Sequence, residues 1–199
     1  MFDTKKPAGP HGQWQKHITA ELTVLPGREI TDDTLFLAEL AGSVPCSVCF
    51  DLGTGTGAVL KHASLQYAFR VGIDLSIHAL SLFDMTAGQP VQCSVSMVSS
   101  VFLKGCADLV LANPPYNTLT DCRHSPDPLR REARQGDSLL LYRFIFAGAH
   151  LLRSGGCMII TGREERIPGM KCGLRAAGFS RIEEFKRGRV IAVKAILTQ

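Results

Sequence analysis

The sequence predicts a doubly wound α/β fold: a mostly parallel sheet, helices on both faces, and an antiparallel hairpin at the C-terminal end. Three observations predict it. Short apolar runs alternate with helical patterns along most of the chain. A glycine-rich turn, Gly53-Thr54-Gly55-Thr56-Gly57, joins the first apolar run to a helical stretch. The last two apolar runs are separated only by Lys186-Arg187-Gly188, too short for the crossover that parallel strands need.

The elements follow in order. Residues 1–20 mix Gly, Pro, His and Lys without periodicity, and a flexible basic leader is expected there, with a single domain over 21–199. Thr31-Asp32-Asp33 supplies cap chemistry for a helix whose apolar residues recur at helical spacing up to Gly42. Ser47-Val48-Cys49-Phe50, between Pro45 and the glycine turn, reads as a buried parallel strand. A helix is expected over 57–68, a strand over 70–74, a helix over 76–85 and a third, alternating strand over 91–97. Residues 107–112, ADLVLA, form a fourth buried strand that stops at Asn113-Pro114-Pro115. A long apolar helix spans 137–153, closed by Gly155-Gly156, and a fifth strand spans 157–161. A polar helix over 164–177 and the two hairpin strands, 179–185 and 189–197, complete the chain. The only long stretch without periodicity is 114–136, and loops of that length are usually functional or disordered.

Composition narrows the function classes. At 199 residues, with 45% hydrophobic and 20% charged, the chain has enough apolar material for a full core and too little charge for a disordered protein. There is no run of 18 apolar residues and no apolar stretch of a signal peptide near the start, so no membrane partner is expected. The seven cysteines are odd in number and scattered through apolar segments, which reads as reduced thiols in a cytoplasmic protein. Cys46 and Cys49 lack a second pair at zinc spacing and read as core, and no metal is expected. The six histidines show no ligand spacing. Charge is split along the chain. Residues 1–122 carry 7 basic and 11 acidic side chains, whereas 123–199 carry 15 basic and 7 acidic, a net of +8. That points to a polyanionic partner for the second part, against the plain alternative of a solvated surface.

Two motifs carry chemistry. The first is Asp51-Leu52-Gly53-Thr54-Gly55-Thr56-Gly57, placed where ligands bind in open α/β sheets, at the carboxyl end of a strand. Its glycines let the backbone turn sharply and approach a ligand. Asp74 ends the next strand, 19 residues after Gly55, where a carboxylate can accept both ribose hydroxyls of an adenosine-containing cofactor. With Ala58 the same run also fits the G-x-G-x-x-A dinucleotide pattern, so an NAD-dependent oxidoreductase is a second class. No Tyr-x-x-x-Lys pair supports it. The second motif is Asn113-Pro114-Pro115-Tyr116, at the end of the fourth strand and so on the same edge of the sheet.

With these residues the chain, over about 22–199, resembles the S-adenosylmethionine-dependent N-methyltransferases of the NPPY type. Asp51–Gly57 resembles their first cofactor motif, Gly72-Ile73-Asp74 their second and Ala107–Tyr116 their catalytic motif. The resemblance implies the class I, Rossmann-like methyltransferase fold with its terminal hairpin, and S-adenosylmethionine as cofactor. It implies cofactor contacts from Asp51, Gly53, Thr54, Gly55, Gly57, Asp74, Leu75 and Asn113. The family usually has an acidic residue after the third strand; here the run Gln92-Cys93-Ser94-Val95-Ser96 has none, and Ser94 or a backbone amide is expected to replace it. Asp32-Asp33-Thr34 resembles the segment that lids the cofactor, with a plain helix cap as the alternative.

The acceptors of this family are planar nitrogens, adenine N6 or an amide, whose lone pairs are delocalised. The Asn113 side-chain oxygen and the Pro114 carbonyl can accept hydrogen bonds from such an NH₂ group and draw it toward tetrahedral geometry. Pro114 and Pro115 hold the turn, and Tyr116 offers a ring on which the acceptor stacks. Within the family, the segments 122–134 and 163–167 resemble bacterial tRNA adenine-N6 methyltransferases. The segments 33–37 and 136–144 resemble HemK-like enzymes, which methylate glutamine amides in release factors. The basic second part favours RNA, tRNA in the family's terms, with a protein glutamine as the alternative, then another small or macromolecular acceptor, and last a methyltransferase-like binding module. Arg123, Arg130, Arg131, Arg134, Arg163 and Arg166 are the expected phosphate contacts.

Overall fold

The computed structural model describes residues 30–65, 67–115 and 138–198. The expected leader, the loop over 116–136 and the start of the long helix at Asp137 lie outside them. In chain order the described elements are α1 (Asp32–Gly42), β1 (Val48–Leu52), α2 (Ala58–His62), β2 (Phe69–Asp74), α3 (Ile77–Ser81), β3 (Gln89–Gln92) and α4 (Val98–Val101). Then come β4 (Ala107–Ala112), α5 (Ser138–Leu151), β5 (Leu152–Arg163), α6 (Ile167–Ala176), β6 (Phe179–Arg187) and β7 (Val190–Leu197). The seven strands form one sheet in the order β3-β2-β1-β4-β5-β7-β6. The first five are parallel; β7 runs antiparallel between β5 and β6.

Successive residues of a strand face opposite sides of a sheet, and the core divides accordingly. On one face Phe50, Leu52, Val110, Ala112, Met158 and Ile160 pack with Phe144 and Ile145 of α5 and Met170 and Leu174 of α6. On the other, Cys49, Leu109, Leu111, Cys157 and Ile159 pack with Phe36, Leu37 and Ala41 of α1 and Leu60 of α2. Burial on both faces is why Leu109–Ala112 of β4 and Cys157–Ile160 of β5 read as unbroken apolar runs.

Three expectations are corrected. The alternating stretch 91–97 is strand only to Gln92; Ser94 then accepts a hydrogen bond from the Ser96 N–H and caps a short 3-10 turn, Val95–Met97, that leads into α4. A serine cap can outcompete alternation because it satisfies a donor that the edge of the sheet leaves unpaired. The helices expected over 57–68 and 76–85 are each five residues long, ended by Ala63 in extended conformation and by Leu82. The fifth strand begins early, at Leu152, with Gly155 at φ 78 absorbing an irregularity that replaces the expected glycine stop.

The edge opposite the glycine loop is pinned by Asp108. Its Oδ2 accepts from the Ser47 and Val48 N–H groups, at 2.8 and 2.9 Å, and its Oδ1 accepts from Arg153 Nε at 2.6 Å. The arginine hydrogen bond holds the Asp108 carboxyl below its ordinary range, against a smaller burial effect. Asp108→Ala is expected to lower stability by about 2 kcal/mol, because it strips two backbone donors at the start of β1 of their acceptor. A lowered carboxyl pKa stabilises the fold at neutral pH and stops doing so as pH falls through it. Urea unfolding of the two proteins should therefore show a gap at pH 7 that narrows on acidification.

Candidate active site

The parallel register brings the two motifs together. Leu52 at the end of β1 lies beside Ile73 of β2 on one side and Ala112 of β4 on the other. The glycine loop, Asp74 and Asn113 therefore emerge side by side on one edge, where open α/β sheets bind ligands.

The loop is built from its backbone. The N–H groups of Gly53 and Thr54 both donate to the Ile73 carbonyl, at 2.8 and 3.0 Å. The Asp74 carboxylate accepts from the Gly55 N–H with one oxygen and from the Ser76 N–H with the other, each at 2.8 Å. Asp74 thus bonds directly to the loop crest. Gly55 has φ 58, and among the described residues nothing beyond its chain neighbours lies within 4 Å of where a Cβ would stand. Gly57 differs: with φ 81, its Cβ would fall 2.6 Å from the Phe83 ring. Phe83, a buried residue that sequence reasoning passed over, thereby sets the closeness of loop and β2.

Asp51 is 1% exposed and accepts the Thr54 hydroxyl at 2.7 Å. It supports the loop from beneath, through Thr54. Burial pushes its pKa up to about 7, with the Thr54 hydrogen bond opposing and the Asp74 charge adding a little. A raised carboxyl pKa stabilises the fold at low pH, and that advantage is lost as pH rises through the folded value. Asp51→Asn, a neutral isostere, is therefore expected to melt higher than wild type at pH 8. The gain should be on the order of 3–4 kcal/mol and should disappear near pH ~4. Thermal unfolding at the two pH values checks this.

Leu75, beside Asp74, is 70% exposed, and the Gln92 side-chain amide donates to its carbonyl. Ser94 lies just past the end of β3, its hydroxyl oxygen already accepting from the Ser96 N–H. Asp32 and Asp33 form the first turn of α1 behind the Thr31 N-cap. Cys49 is fully buried in β1 and Cys46 half-buried just before it. Among the described residues no His, Cys, Asp and Glu side chains are grouped to hold a metal ion, and no helix is long and apolar enough to cross a membrane.

At the Asn-Pro-Pro turn, Asn113 is half-buried, and its Oδ1 accepts the Thr161 hydroxyl at 2.7 Å. The Pro115 carbonyl accepts from Arg166 Nη1 at 3.3 Å. Both contacts come from β5 and the turn after it, because Ala112 pairs with Ile160 and so puts residue 161 opposite Asn113. Neither contact was foreseen. The available signal was a single hydroxyl residue, Thr161, at the end of the apolar run Cys157-Met158-Ile159-Ile160. Arg163 lies nearby at the end of β5. The hairpin turn reaches the same edge, with Lys186 on Glu164 and Arg187 on Glu39 and over the Phe36 ring. Tyr116, Arg123, Arg130, Arg131 and Arg134 lie outside the described residues.

The strand order, the parallel-to-antiparallel switch at β7 and the glycine loop after β1 define the class I methyltransferase fold. Solved structures agree. TrmN from Thermus thermophilus superposes with a TM-score of 0.58 at 20% identity, covering 83% of this chain and 48% of that one. The T. thermophilus 16S rRNA N2 G1207 methyltransferase RsmC gives 0.61 at 16% identity, covering 86% and 40%. No protein-family model matches the chain. Curated relatives are similar over part of the chain. The tRNA1(Val) (adenine(37)-N6)-methyltransferase of Bacteroides thetaiotaomicron is 33% identical over 123 residues, 56% of this chain and 49% of that protein. Its namesake in Porphyromonas gingivalis is 26% identical over 145 residues, 67% and 56%. The chain thus spans about half the length of the curated relatives it matches.

Proposed function

We propose that this chain is an S-adenosylmethionine-dependent methyltransferase that acts on adenine N6 in RNA, with tRNA as the favoured substrate. The observation that carries the reading is the juxtaposition of the glycine loop and Asp74 with the Asn113-Pro114-Pro115 turn, one strand apart on the same edge. The names of the curated relatives support tRNA adenine over the glutamine amide of a release factor.

The residues present fit the cofactor. Gly55 leaves open space at the crest of the loop, Asp74 offers carboxylate oxygens beside it, and exposed Leu75 offers an apolar surface for a base. Bound there, S-adenosylmethionine supplies an electrophilic methyl group. The chain's own work is on the acceptor. Asn113 Oδ1 and the Pro114 carbonyl accept the amino hydrogens, which localises the nitrogen lone pair for attack. The prolines fix both acceptors before substrate arrives, so little reorganisation remains at the moment of reaction. The nitrogen–carbon bond would form as the sulfonium's methyl carbon–sulfur bond breaks to release S-adenosylhomocysteine, and the cationic nitrogen would then lose its proton to solvent without a strong base. Arg163 at the end of β5, Arg166 on the Pro115 carbonyl and Arg189 in the hairpin turn are the phosphate contacts this reading assigns among the described residues.

The test is transfer of labelled methyl from S-adenosylmethionine onto total RNA and, separately, total protein, followed by digestion. Label in N6-methyladenosine from tRNA is the expected result. Label confined to glutamine in a protein would move the chain to the HemK-like branch, and no label in either would end the methyltransferase reading.

A further inference from the structure

We infer that Thr161 is a positioning residue for methyl transfer, fixing which end of the Asn113 carboxamide faces the acceptor nitrogen. The inference rests on the reading of Asn113 as the residue that receives the acceptor's amino hydrogens.

A carboxamide is two-faced. Its oxygen accepts and its nitrogen donates, and rotation about its last torsion is soft. An amino acceptor brings hydrogens of its own, so an amide turned the wrong way would set donor against donor. The orientation of Asn113 is therefore a condition of its function, and something must hold it.

Thr161 is 0% exposed, yet it carries a hydroxyl at the end of an apolar strand. That hydroxyl lies 2.7 Å from Asn113 Oδ1 and 3.4 Å from the Ala112 carbonyl oxygen. The shorter distance is that of a well-formed O–H···O bond, while the longer one lies beyond the usual range. The single proton of Thr161 is therefore given to Asn113, which pins the oxygen end of the amide. A carboxamide oxygen has two lone pairs, so accepting from Thr161 is compatible with accepting from a substrate amino group. The β4–β5 register supplies the geometry: Ala112 pairs with Ile160, and the next residue on each strand is the one in question. The device is rigid because β5 is held on both sides, by β4 and by β7.

The experiment compares wild type, Thr161→Val, Thr161→Ser, Asn113→Ala and the double variant Asn113→Ala/Thr161→Val. Each is assayed with labelled S-adenosylmethionine on undermethylated bulk tRNA and on total protein, beside S-adenosylhomocysteine calorimetry and thermal unfolding. Thr161→Val, which keeps the shape and loses the hydroxyl, should lower kcat about tenfold at unchanged S-adenosylhomocysteine affinity and little-changed KM for tRNA. Thr161→Ser, which restores the hydroxyl, should recover most of that loss. In the Asn113→Ala background the valine change should cost almost nothing further, because the two side chains act as one unit. Wild-type turnover in Thr161→Val, a serine variant as slow as the valine variant, or an equal penalty with and without Asn113 would each overturn the inference. Should Thr161→Val fail to fold, Thr161→Ala takes its place under the same criteria. If Asn113→Ala is slow and the Thr161 variants are normal, only the positioning role falls. If Asn113→Ala itself turns over normally, or neither RNA nor protein is labelled by wild type, the reading of the site falls and takes the inference with it.

Discussion

Asn113→Ala is expected to lower methyl transfer by about 10²–10³ while S-adenosylhomocysteine affinity stays within about twofold, the scale for losing one preorganised polar partner of the reacting group. The size follows from where Asn113 stands. It follows β4 directly as the first residue of the Asn-Pro-Pro turn, its Oδ1 already held by a buried hydroxyl, so its position is set before any substrate arrives. Removing it leaves the Pro114 carbonyl as the remaining acceptor of the motif for the amino hydrogens, and the nitrogen lone pair stays largely delocalised. Cofactor affinity should change little because the Gly55–Asp74 hydrogen bond sits at the ends of β1 and β2, whereas Asn113 follows β4 on the other side of β1. Single-turnover methylation of undermethylated tRNA, with calorimetry on the same preparations, separates the two effects. A wild-type rate in Asn113→Ala would remove the catalytic motif from the argument.

Asp74→Ala should weaken S-adenosylhomocysteine binding by at least about tenfold, and on the order of a hundredfold if both ribose bonds form. A hydrogen bond to a charged group contributes roughly 1.5–3 kcal/mol, and about 1.4 kcal/mol is a factor of ten in affinity. The structure adds a second route to the same loss. Asp74 also accepts from the Gly55 and Ser76 N–H groups, so its removal frees the crest of the loop that would meet the ligand. Asp74→Asn keeps one acceptor oxygen and should fall between the two. Wild-type protein should bind S-adenosylhomocysteine and not NADH, which also disposes of the dinucleotide reading that the Gly53–Ala58 pattern permits. Calorimetry reads all of these, and an Asp74→Ala affinity equal to wild type would place the adenosine elsewhere.

Most of the fold is written locally. The β4 run ADLVLA was legible to the residue because Leu109–Ala112, buried on both faces, are all apolar, and the prolines that follow cannot extend it. The terminal hairpin was legible because its joint is too short for a crossover. The misreadings arose where a local rule met a tertiary one. Residues 93–97 alternate like a strand, but beyond Gln92 they leave β2 behind, and with no neighbour to pair the Ser94 cap wins. The helices after β1 and β2 are short because the chain must return to the sheet, a constraint that helical periodicity does not carry.

By itself the sequence determined the chemistry on offer: a glycine loop after one strand, a carboxylate ending the next, and an Asn-Pro-Pro turn ending the fourth. Strand ends, turns and backbone freedom depend on residues close in the chain, and such signals survive without the fold. Only the tertiary structure decided what surrounds those groups. It placed Phe83 against Gly57, buried Asp51 beneath the loop it was expected to line, and set Thr161 against Asn113 across 48 residues of sequence. Contacts of that kind are fixed by strand register and burial. Pairing two distant segments is a property of the closed sheet, and no spacing within either segment encodes it.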